Sequence, residues 1–214
     1  MSYISFENVS KSYKNADFPV YCLQGVNLQI EKGSFTCVYG PSGAGKTTVL
    51  NLIAGISRTD SGTITVNETK ITDLNERALS QYRKREIGTI YGETDLFQSL
   101  TAYENVKMAI SVAGTKESAG KLLNAVGFDG DADGFPTALT SLQRARVSLA
   151  MALSKHAEIL LCDNVRNFLP TDDAETFIKL LKKAVQNIGI TVVLATDNEN
   201  DFDYADSIIN LNEL

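Results

Sequence analysis

Long apolar runs are missing from this 214-residue chain, and so is any excess of positive charge. No stretch approaches the roughly 18–20 consecutive apolar residues that a membrane-spanning helix requires. The opening residues, Met-Ser-Tyr-Ile-Ser-Phe-Glu, lack the basic region followed by an apolar one that marks a secretory leader. These absences predict a soluble chain that is not exported. Lys and Arg number 20 against 26 Asp and Glu, giving a net charge of −6, and the basic residues are scattered. That leaves no electrostatic footprint for nucleic acid, so neither DNA nor RNA is expected as a partner. Cysteine is scarce: Cys22, Cys37 and Cys162 form an odd set without C-x-x-C spacing. They are expected as reduced core residues of a cytosolic protein. The single histidine, His156, sits in Ser-Lys-His-Ala-Glu after a predicted helix and is expected at the surface. Internal repeats and low-complexity tracts are also absent.

What is present suits one well-buried α/β domain over residues 1–214, with 43% of residues hydrophobic. Ile4 to Val9, Leu23 to Ile30 and Gly62 to Val66 alternate like half-buried antiparallel strands and predict a small β layer. Helical spacing runs through Leu74 to Lys84, Ala102 to Ala113, Lys116 to Val126 and Leu142 to Leu153. Residues from about 95 to 150 are therefore predicted as a largely helical subdomain. Glu158 to Cys162 and Ile190 to Ala195 are uninterrupted apolar runs of strand length, the pattern of strands buried on both faces of a parallel sheet. Between them Thr171 to Gln186 reads as an amphipathic helix, capped by Thr171 and the acidic pair Asp172 and Asp173, which completes a βαβ crossover.

The densest chemical signal is Gly40-Pro41-Ser42-Gly43-Ala44-Gly45-Lys46-Thr47-Thr48, which satisfies the phosphate-loop spacing G-x-x-x-x-G-K-[ST]. An apolar, β-rich run from Ser34 to Tyr39 precedes it, and helical spacing from Lys46 to Ala54 follows. Glycines let successive backbone N–H groups face a phosphate, and the positive end of the following helix adds a favourable field. Lys46 is expected to reach the β- and γ-phosphates, and Thr47 to offer its hydroxyl to Mg²⁺. Asp163 closes an apolar strand, where a buried carboxylate needs a positive partner; Mg²⁺ near Thr47 would supply one.

With these stretches, and with Phe-Glu-Asn-Val-Ser-Lys-Ser-Tyr at 6–13, Ser-Gly-Thr-Ile at 61–64 and Leu-Thr-Ala-Tyr-Glu-Asn-Val at 100–106, the chain resembles the ATP-binding subunit of an ABC transporter along nearly its whole length. It is most similar to the branch serving lipoprotein release, macrolide export and cell division. The resemblance implies an ABC-type P-loop NTPase fold: a mostly parallel core sheet, a small antiparallel layer and a helical subdomain. It also implies ATP and Mg²⁺ as ligands, a membrane-spanning permease as partner, and a place on the inner face of the cell membrane. Each ATP would lie between the phosphate loop of one subunit and the signature helix of another, in a homodimer or a heterodimer. Tyr13 matches the aromatic residue that stacks on adenine in this family.

Five family elements are altered. The glutamate that polarises attacking water aligns with Asn164, whose amide has no useful basicity. Losing a positioned base costs about two to four powers of ten in rate. The switch histidine aligns with Asp197, and the glutamine that joins Mg²⁺ to the permease groove aligns with Gly92, with Glu93 beside it. The signature reads Leu139-Thr140-Ser141-Leu142-Gln143 without its glycines, and the dimer-contact aspartate falls on Pro170. No catalytic residue is assigned on this basis. The leading expectation is a subunit that binds Mg-ATP, hydrolyses it weakly or not at all, and acts through nucleotide-dependent dimer closure. The alternative is an active transport ATPase working through Glu93, Asp197 or a partner residue. A GTPase or small-molecule kinase is disfavoured by the absence of an Asn-Lys-x-Asp motif and of an arginine-rich lid. A module that binds no nucleotide would leave Lys46 without a purpose.

Overall fold

Alternating apolar residues at the start of the chain form strands β1 (Ile4–Asn15) and β2 (Phe18–Ile30), in a computed structural model that describes residues 2–15, 18–92 and 96–213. Both strands run further than the alternation alone suggests. They pair antiparallel with β4 (Ser61–Val66) and the short β5 (Thr69–Lys70) in the order β2-β1-β4-β5.

The second sheet is parallel, in the order β6-β7-β8-β3-β9. Its strands are β3 (Phe35–Tyr39), β6 (Ile87–Ile90), β7 (Ile159–Asp163), β8 (Thr191–Thr196) and β9 (Ser207–Asn210). Side chains of β7 point alternately into two separate cores. Leu160 and Cys162 join the core beneath α3 (Ala102–Ala113), α4 (Ala119–Ala125), α5 (Ser141–Leu153) and α6 (Thr171–Ile188). Ile159 and Leu161 join the core shared by α1 (Lys46–Ile53) and the antiparallel sheet. Burial on both faces explains why β7 and β8 are continuously apolar. The helix α2 (Glu76–Glu86) leads directly into β6.

Local caps fix the helix ends, and two differ from the sequence expectation. Thr171 does not cap α6: Pro170 occupies the cap position, without a side-chain hydrogen bond, and Thr171 is the first helical residue. Proline presets the backbone there, and Asp172 and Asp173 complement the helix dipole from the first turn. The helix expected from Lys116 starts only at Ala119, because the Ser118 side chain accepts from Lys121 N and ends the preceding loop. Thr101 and Thr140 each form a capping box, with Glu104 and Gln143 respectively. His156 is exposed beside Glu117, as expected. Cys37 and Cys162 are fully buried, but Cys22 lies on β2 and is only half-buried, so the expectation of a core position fails for it.

Candidate nucleotide site

Three adjacent strands of the parallel sheet, β7, β8 and β3, end at one edge, and each hands its chain to a loop of interest. Tyr39 of β3 is level with Thr196 of β8, and Asp163 of β7 with Ala195. Residues 40–45, Asp163 with Asn164, and Asp197 therefore emerge side by side. Ligands of open α/β sheets bind at this carboxyl edge.

The phosphate loop turns into α1 at Gly45, which has φ 95°. A Cβ there would stand 2.9 Å from the backbone oxygen of Cys22, so both the conformation and the contact with β2 require glycine. Gly43, at φ 85°, supplies the other left-handed turn of the loop. Lys46 is nearly fully buried, and its Nζ donates to the carbonyls of Gly40 at 2.6 Å and Pro41 at 2.8 Å. Those bonds hold the ammonium within the curl of its own loop. Thr47 Oγ1 donates to Asp163 Oδ2 at 2.7 Å. A hydroxyl and a carboxylate in contact form a hard-oxygen pair, which fits the donor preference of Mg²⁺. The two residues expected to hold the metal thus lie together.

A cavity of about 590 Å³ opens over these groups, with Ser42, Lys46, Thr47, Asp163, Asn164 and Asp197 in its wall. Asn164 adopts a left-handed conformation at φ 40°, an unusual state for a residue with a side chain. The residue is 9% exposed, and its Nδ2 donates to Asp197 Oδ2 at 3.4 Å. Its Oδ1 is buried without a hydrogen-bond partner among the described residues.

The loops carrying these two side chains are tied together behind the cavity. Arg166 donates to Asp201 Oδ1 through Nε at 2.8 Å and Nη2 at 2.5 Å, and Thr196 Oγ1 donates to Asp201 Oδ2 at 2.5 Å. The hydrogen bond to Asp201 holds the Arg166 pKa above its ordinary value. Asp201 is fully buried, so its charge depends on these donors.

Other expected site residues stand apart from the cavity. Tyr13 is 41% exposed, with Lys11 Nζ 5.2 Å from its ring centroid and its hydroxyl 3.5 Å from Ser57 Oγ. Gly92, at φ 133°, packs near Phe168, and Glu93 lies outside the described residues. The stretch from Leu139 to Gln143 begins α5, where Thr140 Oγ1 already accepts from Gln143 N. Neither this stretch nor Pro170 lines the cavity. Conversely, Cys22, Tyr91, Asn167 and Phe168 line it without having been singled out. Tyr91 adjoins Gly92 in the sequence, and Asn167 and Phe168 follow Asn164, but nothing along the chain marked Cys22.

Comparison with known proteins gives a consistent family. A model described as "ABC transporter" matches residues 23–167. The methionine import ATP-binding protein MetN of Bacillus subtilis is 34% identical over 198 residues, covering 90% of this chain and 58% of its own length. A MetN protein of Ralstonia nicotianae is 35% identical over 199 residues, covering 90% of this chain and 57% of its own. The chain therefore spans a little under three fifths of these curated relatives. Among solved structures, the dimeric post-hydrolysis state of the ATP-binding cassette MJ0796 bound to ADP and Pi superposes with a TM-score of 0.86 at 31% identity, covering 97% of this chain and 93% of that one. The cbiO1 structure from Clostridium perfringens shares the fold, with a TM-score of 0.83 at 23% identity and coverage of 98% and 84%.

Proposed function

This chain belongs to the ABC transporter family, and from that premise we propose that it is an ATP-binding subunit that holds Mg-ATP, hydrolyses it weakly or not at all, and acts through nucleotide-dependent dimer closure. One observation carries the reading: an intact phosphate loop with a Thr47–Asp163 contact shares its cavity with an amide and a carboxylate at the hydrolytic positions. Lys46 and the loop N–H groups would bind the β- and γ-phosphates, and Thr47 with Asp163 would hold Mg²⁺, which neutralises phosphate charge when bound. Tyr13 would take part at the adenine end if its ring turned from Ser57.

Residues 1–214 act as one domain on this reading, with the helical subdomain at about 95–150. The partners are a membrane-spanning permease and a second ATP-binding subunit, either a copy of this chain or a relative. Association with the cell's inner face runs through the permease on this reading; among the described residues no helix is long and apolar enough to cross a membrane. The lost base and switch belong to this chain's own phosphate-loop site, whereas Thr140 to Gln143 would serve the site on the opposite subunit. Both composite sites are compromised in either kind of dimer.

The test is calorimetric titration with Mg-ATP, alongside steady-state turnover of the assembly isolated from its native membrane. Binding should be clear and lost in Lys46→Ala, with turnover at least about 100-fold below that of a family member with its glutamate, the low end of what a missing base costs. Ordinary transporter rates that vanish in Lys46→Ala would overturn the proposal.

A further inference from the structure

Asn164 and Asp197 exchange the usual chemistry of their positions, and their geometry gives the exchange a consequence. Resting on the nucleotide reading above, we propose that the carboxylate of Asp197 is the general base for whatever ATP turnover this chain retains, with Asn164 positioning that carboxylate.

Three observations support the assignment. Asn164 Nδ2 donates to Asp197 Oδ2 at 3.4 Å, which leaves Asp197 Oδ1 with no hydrogen bond among the described residues. Asp197 lines the cavity over the phosphate loop, so that oxygen can accept a hydrogen from a water held there.

Among the described residues the other carboxylate of the cavity, Asp163, is engaged by Thr47, with which it would hold the metal, so it does not compete for the role. Finally, the two loops are fixed relative to one another. Asn164 N donates to Ala195 O at 2.9 Å, and the Arg166–Asp201 pair joins the loop after β7 to the loop after β8. A base is useful only when its place is set in advance, and these ties hold the loop that carries Asp197.

In the step itself the water oxygen forms a bond to the γ-phosphorus, while the bond from that phosphorus to the β,γ-bridging oxygen breaks. The electron pair of the broken bond leaves with ADP. Asp197 receives the water's proton and later returns it to bulk solvent. Like-charge repulsion between Asp197 and the γ-phosphate opposes this arrangement. The resulting enzyme is slow.

The experiment measures single-turnover ATP cleavage by the complete assembly across pH, with Lys46→Ala as background. Wild type should show slow cleavage above that background, with a rate that falls about tenfold per pH unit on the acid side, as a carboxylate base is protonated. Asp197→Asn should lose at least about 100-fold and lose the pH slope, with Mg-ATP affinity kept within a few-fold; Asp197→Glu should retain part of the rate. Three results would each overturn the proposal: no cleavage above background in wild type, a rate indifferent to Asp197→Asn, or a wild-type profile flat on the acid side. The last readout holds even if a variant fails to fold. Loss of Mg-ATP binding by the wild-type chain would sink the nucleotide reading itself. Normal binding with Asp197-independent cleavage would sink only this inference.

Discussion

Replacing Arg166 with methionine removes the guanidinium but keeps the length and most of the apolar stem. Asp201 would then be left fully buried with Thr196 as its one side-chain donor, its Oδ1 stripped of both hydrogen bonds. The Arg166 side chain is itself only 12% exposed, so water replaces it poorly. Breaking a buried pair from one side costs about 3–5 kcal/mol, most of it the stranded charge. At about 2–4 °C per kcal/mol for a domain of this size, Arg166→Met should lower the melting temperature by ~6–20 °C. Differential scanning fluorimetry and urea denaturation, run side by side, measure both quantities. Adding Asp201→Asn should recover more than half of the loss, because the neutral amide no longer needs a counter-charge and still accepts from Thr196. A loss under about 1 kcal/mol, the scale of an exposed ion pair, or a double variant no better than the single one, would refute this account.

Two further outcomes follow from the cysteines. N-ethylmaleimide should add once per native chain, at Cys22, because Cys37 and Cys162 are fully buried, and Mg-ATP should slow the reaction since Cys22 borders the phosphate-loop cavity. Peptide mass spectrometry reads this directly; labelling indifferent to Mg-ATP would argue against the site. Cys37 also bears on alkaline stability. Burial, followed by the charge of Asp201, pushes its thiol up to about 12, against an unfolded value near 9. A raised pKa means that the unfolded chain releases its proton first. The stability tied to the neutral thiol is therefore complete below about pH 9 and disappears as pH rises toward about 12, at up to ~1.4 kcal/mol per unit. Tyr82, held high by burial, and Tyr3, held high by burial and by its bond to Glu158, act in the same direction at still higher pH. Denaturant melts at about pH 8 and pH 11 should show the decline, and Cys37→Val should flatten its first part; equal midpoints at the two values would contradict it.

Much of this fold is legible along the chain because its signals are local. The helix α3 keeps the bounds its spacing predicts, Ala102–Ala113, since a capping box at Thr101 and a left-handed Gly114 punctuate it from within the sequence. The apolar runs of β7 and β8 and the glycine spacing of the phosphate loop are equally self-contained. Strands β6 and β9 escape notice because they are four residues long and owe their existence to parallel neighbours, β7 and β3. Gly88, which weakens any local strand signal, sits where a Cβ would crowd the Cβ of Ala152 at 3.1 Å. The site divides along the same line. Lys46 and Thr47 are visible in one motif, but the contact between Asn164 and Asp197 crosses 33 positions, and that between Arg166 and Asp201 crosses 35. No periodicity encodes such pairs. Cys22 enters the cavity for a similar reason, through the antiparallel sheet that presses its carbonyl against Gly45.

Asn164, Asp197 and Leu142 share a physical direction on the proposed reading. Each changes a side chain that would face a bound phosphate. Asn164 still hydrogen-bonds across the cavity, and Thr140 still caps α5, yet Leu142 adds bulk where the family has glycine. A nucleotide that binds and stays uncleaved can shift a dimer equilibrium only by its difference in affinity for the open and closed forms. Moving such an equilibrium from 1:99 to 99:1 takes about 10⁴-fold, or ~5.5 kcal/mol. Several phosphate contacts completed only on closure can supply that much, without any turnover. What binding alone cannot supply is direction, because an equilibrium ligand leaves as easily as it arrives. On the proposed reading such a subunit would report the level of ATP to its membrane partner, and any net work in the assembly would come from elsewhere or from the slow cleavage assigned to Asp197.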